Sequence, residues 1–315
     1  LSEASPLMQE ASSEVLSRLP VRTIWSLNQV CRGWCAMITS EHFVAAHLYC
    51  ANLQNKSLQM MFFSGTLPYA LEPVEKYINK PGILPLIDSR CIIVWSKPCH
   101  GLNAWSFAGY DFVCNPATNY FKTLPMFTGC LGLGYEQESL RHILVGLAYK
   151  ERNLTARDYK MVYNMRYVKD MVWDEINPPP RLVANMPPTH VNGKLYWMVD
   201  TEFGQKSPRL EIVELDVSTR KFEVLQGPPC GCDNGEHMSI SELEEMVCVT
   251  RSHRTMGIIK IWAMKDTGMW SVKYDIQLER FSPEYSPDTT MPLAVDPKDG
   301  RILLSTGRAL GYYNP

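Results

Sequence analysis

The stretch FVCNPATNYFKTL, residues 112–124, comes back 101 positions later as VELDVSTRKFEVL, residues 213–225. In one frame Asn115 falls on Asp216, Thr118 on Thr219, Phe121 on Phe222 and Leu124 on Leu225. An apolar run that stops at Asn or Asp and resumes beyond a Thr predicts a hairpin. The short polar side chains bond backbone groups in a tight turn, and the returning strand carries Phe into a gap between sheets. A weaker third copy spans 261–270, with Lys265, Asp266 and Thr267 in the turn and Trp270 as the aromatic, and Tyr312–Pro315 matches the opening of a fourth. Hairpins spaced by multiples of about 45 to 50 residues predict a radial array of four-stranded blades, a β-propeller.

Outward from these hairpins, strand-like apolar runs fall at 91–95, 111–114, 142–149, 159–163, 194–199, 211–217, 245–250, 258–263 and 301–305. No long amphipathic helix separates them, which restricts the class to an all-β sandwich, barrel or propeller, and the repeat selects the propeller. Residues 90–315 suffice for roughly five blades at about 45 residues each. Before them, Pro68, Pro73, Pro81 and Pro85 interrupt 49–89, which is expected to be a connector holding one strand.

The balance of 31 basic and 33 acidic residues, a formal net charge of -2, excludes a protein that works by a basic field on nucleic acid. No run approaches the ~20 apolar residues of a membrane span. The ten cysteines are scattered at 31, 35, 50, 91, 99, 114, 130, 230, 232 and 248, the pattern of reduced thiols rather than of a disulfide scaffold. Leu1 is not followed by a charged segment and a long apolar run, so a cytoplasmic or nuclear location is expected. The missing initiator Met and the ending Asn314-Pro315 read as those of a piece of a longer chain.

The other end differs in kind. Residues 14–38 read EVLSRLPVRTIWSLNQVCRGWCAMI. EVLSRLP predicts a short amphipathic helix with Val15, Leu16 and Leu19 on one side, stopped by Pro20. A second helix is expected from Ile24, with Ile24, Leu27, Cys31, Trp34 and Ile38 stepping by three and four, Val30 and Met37 widening the stripe, and Arg22, Ser26, Asn28 and Arg32 on other faces. So small a segment buries little surface alone, so its stripe needs a cover, either the rest of the chain or another subunit.

The ordered run Leu16, Ser17, Arg18, Leu19, Pro20, Val21, Arg22, then Val30, Cys31, Arg32, Trp34 and Ile38, then Phe43, His47 and Leu48, resembles an F-box. The resemblance implies docking on a Skp-type adaptor, and through it a cullin, by Leu16, Leu19, Pro20, Val21, Ile24, Leu27, Val30 and Trp34. A second resemblance covers roughly 90–315. His100-Gly101-Leu102, Val113-Cys114-Asn115-Pro116-Ala117-Thr118, Leu131-Gly132-Leu133-Gly134-Tyr135, Asp158-Tyr159-Lys160-Met161-Val162 and Val191-Asn192-Gly193-Lys194-Leu195-Tyr196-Trp197 are similar to the F-box-associated, Kelch-related propeller domains of plants. Together they imply an F-box at 1–48, a connector at 49–89 and a propeller at 90–315. The implied role is that of the non-catalytic substrate-recognition subunit of a Skp-cullin-F-box ubiquitin ligase, with no cofactor, metal, nucleic acid or membrane partner. An unidentified protein substrate would be held by inter-strand loops such as 177–188 and 226–237. Ala11, Ser12 and Ser13, where that family carries leucines, keep open a propeller interaction or glycan-binding protein that assembles no ligase.

Other motifs are weaker than they look. Cys230, Cys232 and His237 lack the second ligand pair of a structural zinc site. Gly132 and Gly134 are followed by no phosphate-binding helix, and Gly193-Lys194 is expected to be a turn. None of the seven histidines has an evident Ser, Cys or Asp partner in sequence, so none points to catalysis. The basic-aromatic run 157–173 has the alternation of a half-buried strand.

Overall fold

The computed structural model describes residues 6–54, 59–64, 67–73, 94–95, 98–107, 110–118, 120–124, 129–153, 158–184, 186–200, 209–230, 237–253, 255–281, 283–306 and 309–315. Four helices open the chain: α1 (Pro6–Leu16), α2 (Val21–Leu27), α3 (Arg32–Ile38) and α4 (Glu41–Gln54). A hairpin of β1 (Gln59–Ser64) and β2 (Leu67–Pro73) follows. Then come five antiparallel sheets, the blades of a β-propeller. Blade 1 is β3 (Val94–Trp95), β4 (Asn103–Phe107), β5 (Tyr110–Asn115) and β6 (Tyr120–Leu124). Blade 2 is β7 (Gly129–Glu136), β8 (Arg141–Asn153), β9 (Asp158–Tyr167) and β10 (Asp174–Ile176). Blade 3 is β11 (Thr189–Val191), β12 (Lys194–Met198), β13 (Glu211–Asp216) and β14 (Lys221–Gln226). Blade 4 is β15 (His237–Leu243), β16 (Met246–His253), β17 (Ile258–Met264) and β18 (Trp270–Gln277). Blade 5 shows three strands, β19 (Met291–Val295), β20 (Ile302–Ser305) and β21 (Leu310–Tyr313). Each strand pairs with the next in sequence, and β7 touches β4 and β11, β11 touches β15, and β15 touches β19, which sets the blades side by side in chain order.

The repeated hairpins are the third and fourth strands of blades 1, 3 and 4, so the 101-residue shift is a step of two blades. Their turns are built as the residue types require. Asn115 Oδ1 accepts the Ala117 amide at 3.0 Å, and Asp216 Oδ1 accepts those of Ser218 and Thr219 at 3.0 and 2.8 Å. Phe222, on the returning strand, meets Tyr163 of blade 2 edge-on with ring centroids 5.7 Å apart.

Period-two alternation explains the packing. In β12, Leu195 and Trp197 face blade 2, joining Ile143, Val145, Tyr163 and Met165 in one cluster. The intervening Tyr196 and Met198 face blade 4, joining Ile240, Val247, Val249 and Trp262 in another. Both faces of an inner strand are therefore dry, and it reads as an unbroken apolar run. The glycines of Gly132-Leu133-Gly134 belong to this packing. A Cβ on Gly132 would lie 2.4 Å from Cγ of the buried Pro188, and one on Gly134 3.3 Å from Val217 Cγ1. The run 157–173 likewise contains a half-buried strand, β9.

The N-terminal helices depart from expectation. Residues 14–16 are the last turn of α1 rather than the start of a helix ending at Pro20, and Pro20 precedes α2. The run 24–38 is two helices, because Asn28, Gln29 and Val30 form a turn and Cys31 is extended at φ -160°, ψ 164°. Cys31 Sγ accepts the Trp34 amide at 3.4 Å, the capping part usually taken by a Ser hydroxyl. The spacing by threes and fours runs across the break, which is why periodicity alone joined the two. In the expected connector α4 continues to Gln54, and a hairpin stands where one strand was expected; residues 74–93 lie outside those described.

Gly132→Ala should destabilise the propeller by about 1–3 kcal/mol, because the new methyl meets a rigid, buried ring. Urea melts of Gly132→Ala, Pro188→Ala and the double variant test this: the double should be more stable than the sum of the singles requires, and simple additivity would show that this contact is not felt.

Candidate functional site

Two places gather side chains with chemistry to spare. The first is where blades 1, 2 and 3 meet. His100-Gly101 at φ 44° and 81° turns the chain between Cys99 and Leu102, whose backbones exchange hydrogen bonds of 2.8 and 2.9 Å. Asn192-Gly193, at φ 47° and 75°, turns β11 into β12 in the same way. Both φ values are positive in each pair, as in the type I′ turns of two-residue hairpins.

These turns present Cys99, His100 and His190, whose ligand atoms lie within 4.8 Å of one another. The sequence hid this: His190 meets a cysteine 91 residues away, with Nδ1 3.4 Å from Cys99 Sγ. Among the described residues it is the one group of this kind, and it does not fit a metal. His190 Nε2 accepts the Tyr135 amide proton at 3.2 Å. A neutral imidazole has one lone pair, so Nδ1 must carry the proton and point it at the sulfur. A cation on Nδ1 would force a proton onto Nε2, against the Tyr135 N–H. His142 Nε2 lies 3.1 Å from the Cys99 carbonyl, a bond in which the ring donates. The Tyr135 ring packs on His100 and His142 with centroids 4.3 and 5.0 Å away.

The cluster is thus a neutral clasp between blades, and its electrostatics agree. Burial pushes His142 and His190 down from 6.5 to about 4. It lowers His100 as well, against the pull of Glu245, and raises the Cys99 thiol far above its ordinary range. Tyr135 is raised, first by burial and then by Cys99 and by Glu41 at the start of α4.

The second place is the helical unit. Leu16, Ile24, Ile38 and Phe43 form a small core, with Leu19, Leu27, Trp34 and Met37 half-buried around it. His47 Nε2 lies 3.0 Å from the Leu19 carbonyl and ties α4 to the α1–α2 turn. Of the residues singled out from sequence, Leu16 and Ile24 are therefore inside. Leu19, Val21, Leu27 and Trp34 lie at the margin, Pro20 is exposed, and Val30 is 60% exposed. Sequence reasoning missed Trp25, which is 52% exposed. With α2 ending at Leu27, Trp25 shares a face with Val21, one turn away, and not with Ile24. The helix break at Asn28 is the signal that separates them.

Of the expected substrate loops, residues 177–184 cross from β10 toward blade 3, where Val183 bridges Val199. Pro178, Pro179 and Leu182 wall a cavity of about 330 Å³ with Met161, Tyr163 and Glu175. Arg181 holds this wall in place through Glu211 at 3.0 Å. In the other loop Cys230 is buried, His237 opens β15, and Cys232 lies outside the described residues. No helix among the described residues is long and apolar enough to cross a membrane.

The model of a family described as the F-box associated beta propeller domain matches residues 74–303. A putative F-box protein of Arabidopsis thaliana is 22% identical over 87% of this chain and 68% of its own length. A putative F-box/kelch-repeat protein of the same plant is 22% identical over 99% of this chain and 84% of its own. Among solved structures, an acylaminoacyl peptidase of Pyrococcus horikoshii overlays 68% of this chain at 9% identity and a TM-score of 0.38. This chain spans about a third of that protein, 35%, and nothing of its activity carries over.

The clasp makes stability depend on pH. Below the ordinary pKa of 6.5 the unfolded chain takes up protons on His142 and His190, while the folded chain refuses them until about 4. Stability should be full above about 6.5 and fall by a few kcal/mol between 6.5 and 4. Urea midpoints across this range should show the fall, and His190→Gln should flatten it; an unchanged slope would remove His190 from the clasp.

Proposed function

The chain belongs to the F-box associated β-propeller family, and from that membership we propose that it is the substrate-recognition subunit of a Skp-cullin-F-box ubiquitin ligase. The helical unit docks a Skp-type adaptor, which joins it to a cullin, and the propeller holds a target protein. The observation that carries this reading is the arrangement of α1 to α4. Among the described side chains they share a core of Leu16, Ile24, Ile38 and Phe43 and leave Leu19, Pro20, Val21, Leu27, Val30 and Trp34, with Trp25, at or near the surface. Leu16 and Ile24 act from within by setting the angle between α1 and α2. Large apolar groups desolvated at the centre of an interface dominate its energy, so Trp25 and Trp34 are the anchors.

On this reading the protein makes and breaks no bonds. It raises the effective concentration of substrate lysines near a ubiquitin-charged enzyme carried elsewhere in the assembly. The proline-walled cavity of blade 2 is a rigid surface for the target, on a loop that can vary without disturbing the sheets. No nucleic acid or membrane takes part, and the site of action is the cytoplasm or nucleus. One feature favours a propeller that binds partners, proteins or glycans, without a ligase: α1 offers little apolar surface at Ala11, which is exposed, and at Ser12 and Ser13.

Co-expression with a Skp adaptor decides between them. The wild-type chain should elute as a one-to-one complex. Val30→Asp, placed on an exposed side chain so that the unit still folds, should weaken the complex at least tenfold with unchanged helicity, and Leu19→Ala with Trp34→Ala should abolish it. A wild-type chain that stays monodisperse and ignores the adaptor sinks the ligase reading.

A further inference from the structure

In blade 2, period-two alternation divides β9 between its neighbours. Tyr163 and Met165 face blade 3. Arg166 pairs with Leu144 on the opposite face, where Leu144 and Val168 pack against Ala104, Val113 and Leu124 of blade 1. A guanidinium thus sits in the cleft between blades 1 and 2, and it is only 2% exposed.

Three features fix it there and one is missing. Nη1 donates to the Asp170 carbonyl at 3.1 Å. The Trp173 ring covers the guanidinium, with its centroid 4.8 Å from Cζ. Tyr120 of blade 1, 39% exposed, lies within its electrostatic reach. Nε and Nη2 are buried and have no hydrogen-bond partner among the described residues. These two are the parallel pair on one side of the guanidinium, the fork that grips the two oxygens of a carboxylate or phosphate.

Among the described residues no side chain nearby supplies those oxygens. The Asp170 carboxylate is taken by Arg141 at 2.9 Å. Lys122 adds a further positive charge, donating to the Val168 carbonyl at 3.2 Å. Arg166 and Lys122 share the cleft with the buried Asp111 of β5, which alternates with Val113 on the face toward blade 2, while Arg141 reaches Asp170 from the blade 3 face, where it stacks on Tyr167. A buried cation with two idle donors is costly, and an oxyanion is the chemistry that satisfies it.

We propose that the cleft between blades 1 and 2 is an oxyanion-binding site, in which the Nε and Nη2 fork of Arg166 grips the carboxylate or phosphate group of a ligand. Trp173 and Tyr120 flank the site, and Lys122 adds to its field. The site does not depend on adaptor docking, so it stands or falls separately from the ligase reading.

Thermal melts of the full chain at constant ionic strength test it, with sodium acetate and inorganic phosphate as probes. Wild type should gain several degrees along a saturating curve. Arg166→Lys keeps the charge but loses the fork, and should weaken the apparent affinity at least tenfold. Arg166→Met, which buries no charge, should not respond and should be no less stable than wild type in anion-free buffer. A blocked tetraglutamate peptide compared with its tetraglutamine counterpart separates the sources: a gain from the first alone assigns the site to an acidic protein segment, and a gain from free anions alone assigns it to a small ligand. No wild-type response to acetate, phosphate or peptide, or an equal response in Arg166→Lys, overturns the proposal. If Arg166→Met fails to fold, the comparison with Arg166→Lys still decides.

Discussion

The structure depends on sheets that are apolar on both faces. Each inner strand has no wet side: β12 sends Leu195 and Trp197 one way and Tyr196 and Met198 the other, and all four are almost completely buried. At roughly 1.5–3 kcal/mol for each large side chain removed from water, few strands so short could hold so much. The ring is a consequence, since a sheet with two apolar faces is stable only between two others. Strand order, turn type and the close approach of Gly132 to Pro188 all follow from keeping neighbouring sheets in contact.

That demand confines polar chemistry to particular places. Backbone turns at strand ends are free to carry it, which is how Cys99, His142 and His190 meet. There His190 and His142 each hold a partner on Cys99, and the two histidines serve as neutral pins. Arg166 is the reverse case, a charge inside a cleft with two donors left idle. The contrast between a satisfied group and an unsatisfied one separates architecture from recognition in this propeller.

Much of this was legible before coordinates. The pairs Asn115/Asp216 and Phe121/Phe222 marked equivalent hairpins, and all nine strand-like runs coincide with strands or parts of strands, apart from residues of the first that lie outside the described region. Strands without a continuous apolar run, β7 and β15 among them, are not evident from the sequence. β7 carries glycines where a Cβ would collide with the next blade, so its strand signal is diluted by the packing it serves. The helix break at Asn28 was hidden because the turn preserved helical spacing on either side. The clasp was invisible for a simpler reason: partners 91 residues apart leave no local pattern. Arg166 looked like one more basic residue in an alternating strand, and only its neighbours across the cleft show that it is dry.

The helical unit is poor where the propeller is rich. Among the described side chains four buried apolar groups support α1 to α4, and the others sit at its margin or in water. A segment so lightly anchored opens and closes many times before the blades open once, with protection from solvent exchange far below that of β12 or β17. Whatever binds the closed form adds its binding free energy to that closure. The lifetime of these helices is then set by occupancy, so the unbound chain is the form most exposed to proteolysis.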